Sequence, residues 1–126
     1  MSPEDPRKAT GQSGESAVCR WLEARGYEVE ARNWRCRTGE LDIVAVRGDL
    51  IAFVEVRSVT TDFVGSPTVT VLPAKQARVA RAADAYLQAR ARWPERIRFD
   101  VAGVRIDGDV ATVDYLENAF VPHVAF

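Results

Sequence analysis

The sequence predicts an α/β domain, a mixed β-sheet with helices packed on it, in the order α-β-β-β-α-β-β. Three observations carry this. Two segments repeat apolar residues at helical spacing, around Val18 and Leu22 and from Val79 to Leu87. Five short segments are rich in Val, Ile and aromatic residues, as strands are. Two links between such segments, Gly48-Asp49 and Asp107-Gly108, are tight hairpin signals.

The elements follow in order. Residues 1–9 are charged and proline-rich, and are expected to fray. A helix should run from about Ala9 or Ser13 to Arg25, with Gly26 as its stop. Glu15 stands three residues before Val18 and seven before Leu22, on or beside the apolar stripe. That is an odd place for a carboxylate. Tyr27 to Arg32 alternates like a strand, and Leu41 to Val46 and Leu50 to Val56 form two more. Residues 58–73 read as an irregular loop, with room for a short extended piece. A second helix should start near Pro73 or Ala74 and reach about Arg92, where Trp93-Pro94 ends it. Val79, Ala82, Ala83, Tyr86 and Leu87 form its buried face, and Arg78, Arg81 and Arg92 point outward. Ile97 to Ile106 and Val110 to Leu116 complete the strands. The tail, residues 117–126, is apolar enough to dock on the body or on a partner.

Composition narrows the function. A chain of 126 residues fits one domain with one core. No apolar run approaches the roughly 20 residues that span a bilayer, and the polar N-terminus has no signal-peptide core. The cytoplasm is the expected compartment and no membrane partner is expected. Cys19 and Cys36 lack metal-site spacing and read as small buried or half-buried residues. His123 has no Ser, Asp or Cys arrangement around it. The net charge of −1 argues against a strongly basic nucleic-acid binder. Yet 15 of the 17 basic residues are arginine, clustered at Arg32, Arg35 and Arg37 and over residues 75–98. Arginine forks well onto phosphate. A solvated helix face explains the same cluster.

The stretch GELDIVAVRGDLIAFVEVR, residues 39–57, carries Glu40, Asp42 and Glu55 inside strand-like sequence. A carboxylate in a strand interior is costly unless something pairs it. If Gly48-Asp49 is a two-residue turn, Arg47 pairs with Leu50, and counting outward sets Asp42 opposite Glu55. Strict alternation places Glu40, Asp42, Val44 and Val46 on one face. Opposed carboxylates repel each other, most where water is scarce. A divalent cation between them removes the repulsion, and Mg²⁺ favours such hard oxygen ligands. Glu15 could face the same place. The alternative is an edge hairpin whose acids are solvated or paired with Arg35 and Arg57.

These residues resemble the PD-(D/E)xK nuclease superfamily in the spacing of Glu15, Gly39-Glu40-Leu41-Asp42 and Glu55-Val56-Arg57. More closely, the chain resembles the YraN family of uncharacterised bacterial proteins, related to archaeal Holliday-junction resolvases. The likeness spans nearly the whole chain. It takes in Gly14-Glu15, Arg32 to Arg37, Phe63 to Pro67, Lys75-Gln76, Arg98-Phe99-Asp100 and Asn118-Ala119-Phe120. The resemblance implies a restriction-endonuclease-like fold over the single domain. It also implies Mg²⁺ or Mn²⁺ on Asp42 and Glu55, with Glu15 as a third acid. DNA, branched DNA included, is the implied partner, and a homodimer follows only by analogy with resolvases.

One departure stands out. The lysine of the superfamily's ExK motif is Arg57 here, and arginine does not lose its proton. Arg57 can orient phosphate but cannot act as a base. Lys75, at the start of the second helix, is the candidate substitute. Arg35, Arg37, Arg78 and Arg81 are the candidates for phosphate contact. Trp34 reads as core more readily than as a stacking platform. The leading expectation is therefore a metal-dependent DNA endonuclease or resolvase-like enzyme. The alternatives are a DNA-binding module that has lost turnover and a protein-interaction domain that uses the tail.

Overall fold

The computed structural model describes residues 6–60 and 71–122. The elements are α1 (Pro6–Glu23), β1 (Glu28–Cys36), β2 (Gly39–Arg47), β3 (Leu50–Thr60), α2 (Pro73–Ala89), β4 (Arg96–Asp107) and β5 (Val110–Leu116). Their order is the predicted one. They form one five-stranded mixed sheet in spatial order β1-β2-β3-β4-β5. Only β3 and β4 are parallel, and α2 makes the crossover between them.

Each face of the sheet carries one helix. On one face Val18, Cys19 and Leu22 of α1 pack with Ile43, Ala45, Ala52, Val54 and Val104. On the other, Val79, Ala82, Ala83, Tyr86 and Leu87 of α2 pack with Val44, Ile51, Phe53, Phe99 and Val101. The buried face read for the second helix is the observed one. Trp34 packs against this α2 cluster, with its ring edge-on to Tyr86 at 5.3 Å, so it belongs to the core. Cys19 is buried and Cys36 half-buried, and neither forms a disulfide. No helix among the described residues is long and apolar enough to cross a membrane.

Several boundaries differ from the sequence reading. Helix α1 already includes residues 6–9, and a proline is well tolerated at the first helical position. Strand β1 continues through Arg35 to Cys36, because Trp34 and Cys36 gain burial against the α2 cluster. Strand β3 runs on to Thr60, where parallel pairing with β4 continues residue by residue to Thr60↔Ile106. Val59 and Thr60 are strand-favouring residues, and pairing with a distant segment extends β3 through them. The Phe63–Pro67 segment and His123 lie outside the described residues.

Helix α2 stops at Ala89 rather than near Arg92. Ala91 has φ +47, and the Arg92 N–H donates to the Leu87 carbonyl at 2.9 Å. Arg92 was expected to point outward, but it turns back to pair with Glu30, which also accepts the Tyr86 hydroxyl. Helix α1 ends the same way at Gly26, φ +86, the predicted stop.

The start of the tail docks on its own body. Phe120 is buried and stacks on Phe99 at 5.4 Å, and the Ala119 N–H donates to the Phe99 carbonyl at 2.8 Å. Beneath it Asp100 is fully buried. It accepts from Arg98, from the Tyr115 hydroxyl and from the Asn118 N–H.

Candidate active site at the fork of the sheet

Strands β2 and β3 are joined by the predicted two-residue turn, with Gly48 at φ +61 as such a turn requires. They pair from Arg47↔Leu50 to Ile43↔Val54 and then stop. The same register carried one step further sets Asp42 opposite Glu55. Beyond that row β2 stays with β1, through Trp34↔Leu41 to Cys36↔Gly39, while β3 stays with β4. The sheet therefore forks between β2 and β3, and the two acids stand where it divides. The Val56 N–H donates to Asp42 Oδ2 at 2.8 Å. A carboxylate takes the place of the next rung of the ladder.

The strict alternation expected along β2 fails at Asp42. Leu41 and Val44, three residues apart, both pack on the α2 side, while Ile43 between them packs on the α1 side. Leu41, not Asp42, thus shares the side of Val44. The pleat is broken at the acid itself.

Glu55 is 8% exposed, and Lys75 Nζ lies 2.6 Å from its Oε1. Lys75 enters from the first turn of α2 and reaches back to the hairpin, as the sequence suggested. Glu15 approaches from α1. Its carboxylate accepts from Asn33 Nδ2 at 2.9 Å and lies 3.8 Å from Arg32 Nη2. Gly14 lets this turn of α1 come close to β3, because a β-carbon there would stand 2.2 Å from Ser58 Oγ.

These charges act on Asp42. Burial pushes its carboxyl up to about 7, and the Glu55 and Glu15 charges push the same way. The Val56 N–H and Lys75 pull it down without cancelling the rise. Burial beside a second acid thus favours the protonated form of Asp42.

The structure brings Asp42, Glu55 and Lys75 together, with Glu15 in electrostatic reach. Arg57, half-buried, lies two residues beyond Glu55 on the same strand. Arg78 and Arg81 are exposed on α2, the helix that supplies Lys75. Arg35 and Arg37 are exposed near the start of β2, and Arg35 Nε sits 3.1 Å from Glu40 Oε2. That pairing of Arg35 was the structural alternative for Glu40. Asn33, just past the stretch that alternates like a strand in the sequence, joins the site through its bond to Glu15.

The donor set suits a hard divalent cation. Among the described residues no three His, Cys, Asp or Glu side chains gather into a cage. Mg²⁺ asks for less, commonly one or two carboxylates with water and phosphate completing its shell. A bound cation would favour the charged form of Asp42, which burial and then the Glu55 charge oppose.

Fold and site together define a class: a mixed α/β protein whose sheet forks around two acids and a lysine. The sequence model of the family described as "Uncharacterised protein family UPF0102" matches residues 14–104. A UPF0102 protein of Myxococcus xanthus is 49% identical over 114 residues, covering 90% of each chain. One from Syntrophus aciditrophicus is 39% identical over 111 residues, covering 88% of this chain and 87% of its own. One from Geobacter metallireducens is 37% identical over 113 residues, covering 90% and 93%. The chain belongs to the UPF0102 family, the YraN family of the sequence analysis.

Proposed function

We propose that this protein is a divalent-cation-dependent DNA endonuclease, resolvase-like in class. The meeting of Asp42, Glu55 and Lys75 at the fork of the sheet carries this reading. Asp42 and Glu55 would hold Mg²⁺ or Mn²⁺, with Glu15 as a third acid. The bound ion would supply charge stabilisation at the attacked phosphate and make water more acidic.

The chain's own groups do the rest. Lys75, paired with Glu55, would be the group that passes a proton to or from the attacking water, a role that Arg57 cannot fill. Arg57 orients phosphate and steadies developing charge. Arg78 and Arg81, with Arg35 and Arg37, bind the phosphate backbone without reading sequence.

The second reading is a DNA-binding module without turnover, and Arg57 in the lysine position favours it. Linear, nicked and four-way-junction DNA, each incubated with Mg²⁺ or Mn²⁺, separate the two. Nicking by the wild type that Asp42→Ala and Glu55→Ala abolish supports the enzyme. Salt-sensitive binding without cleavage supports the module. No DNA binding at low salt excludes both.

A further inference from the structure

Directly across β1 from the break at Asp42 sits Asn33. The flanking pairs Arg32↔Ile43 and Trp34↔Leu41 fix that register. Asn33 has φ +51 inside a strand, a left-handed conformation that few side chains accept and Asn accepts best. Its neighbour Arg32 reaches Ser16 of α1 at 3.3 Å, and its own amide reaches Glu15 of α1 at 2.9 Å. Two successive side chains thus turn to the same side of the sheet. The pleat of β1 is lost at Asn33, and Ala31 and Trp34, three apart, both pack on the α2 side. Leu41 and Val44 do the same on β2. The two strands break in step, with Asn33 facing Asp42.

We propose that Asn33 is a positioning residue for the site. Its left-handed backbone holds β1 in register with the break at Asp42. Its amide fixes the Glu15 carboxylate on the α1 side of the fork. The residue type fits both tasks at once. Glycine would accept the backbone but reach nothing. Aspartate would accept the backbone but repel Glu15. Alanine would fail at both. This inference rests on reading the fork as a cation site.

The test is Mn²⁺ titration by calorimetry on wild type, Asn33→Gly, Asn33→Asp and Asp42→Asn, with melting in EDTA as the check on folding. Asn33→Gly should melt close to wild type, since glycine keeps the backbone freedom. It should bind Mn²⁺ about tenfold more weakly, the scale of losing a residue that orients a ligand. Asn33→Asp should lose at least as much, and Asp42→Asn should abolish binding. If Asp42→Asn abolishes binding while Asn33→Gly binds within about twofold of wild type, the role of Asn33 falls and the cation site stands. If the wild type takes up no Mn²⁺, the cation site falls and the role of Asn33 falls with it.

Discussion

Lys75 Nζ lies 2.6 Å from Glu55 Oε1, an ion pair that ties the first turn of α2 to the acid of β3. A lysine therefore stands at the fork, although the position two residues after Glu55 holds Arg57. Removing it as Lys75→Met should lower cleavage at least about 100-fold if it handles a proton. Arg57→Lys should leave cleavage within about fivefold, because the lysine's place is already filled. Single-turnover nicking assays on both variants check this. A large gain from Arg57→Lys would show that Lys75 does not serve as the substitute.

Asp42 gives stability a definite pH dependence. Its carboxyl is pushed up to about 7 in the fold, first by burial and then by Glu55 and Glu15. Between the ordinary carboxylate value and 7 the folded state therefore binds more protons than the unfolded one. The contribution of this group is fully present below about pH 4 and is lost as pH rises to about 7. Asp42→Asn should remove that slope, and it should gain up to a few kcal/mol over wild type at pH 8 without divalent cation. Denaturant melts from pH 4 to 8 in EDTA measure the difference. Mg²⁺ should flatten the wild-type curve by favouring the charged acid.

The element order and the register that sets Asp42 across from Glu55 were legible because both follow from local signals. Hydrophobic period marks the strands, and a two-residue turn fixes the register outward from Arg47 and Leu50. The break at Asp42 was not legible, because alternation extrapolates smoothly through it. It lies across from Asn33 of the neighbouring strand, whose amide meets Glu15 of α1, contacts distant in sequence. The end of β3 was not legible, since Val59 and Thr60 favour a strand but only the pairing with β4 shows that the strand runs through them. Lys75 was reachable because a helix start just after the loop limits where its side chain can go.

Asp100 should prove a structural acid. It is fully buried and its partner Arg98 is 15% exposed, so truncating the acid strands a nearly buried guanidinium. Asp100→Ala should destabilise the fold by about 3–5 kcal/mol. Tyr115→Phe, which removes one hydrogen bond to Asp100, should cost only about 1–2 kcal/mol. Urea denaturation resolves the two. Asp100→Ala should also release the tail, because the Asn118 N–H donates to the same carboxylate just before Ala119 and Phe120 dock on Phe99.

The two helix ends offer a gain in stability. Both close with the same pair of hydrogen bonds. At the end of α1 the Tyr27 N–H reaches the Leu22 carbonyl and the Gly26 N–H reaches that of Glu23. At the end of α2 the Arg92 N–H reaches the Leu87 carbonyl and the Ala91 N–H reaches that of Gln88. This closure puts one residue in the left-handed region. It is Gly26 at φ +86 in one case and Ala91 at φ +47 in the other. Alanine's β-carbon makes that conformation unfavourable by about 1 kcal/mol, against a smaller entropic penalty for glycine in the unfolded chain. Ala91→Gly should therefore stabilise the protein by about 0.5–1 kcal/mol, or raise the melting temperature by about 2–4 °C. Ala91 is exposed, and the residues that follow it, Arg92 to Pro94, lie beside the Gly48-Asp49 turn at the other end of the hairpin from the fork, so cation binding and cleavage should not change. A loss of stability in Ala91→Gly would mean that the left-handed closure of α2 is not the one adopted in solution.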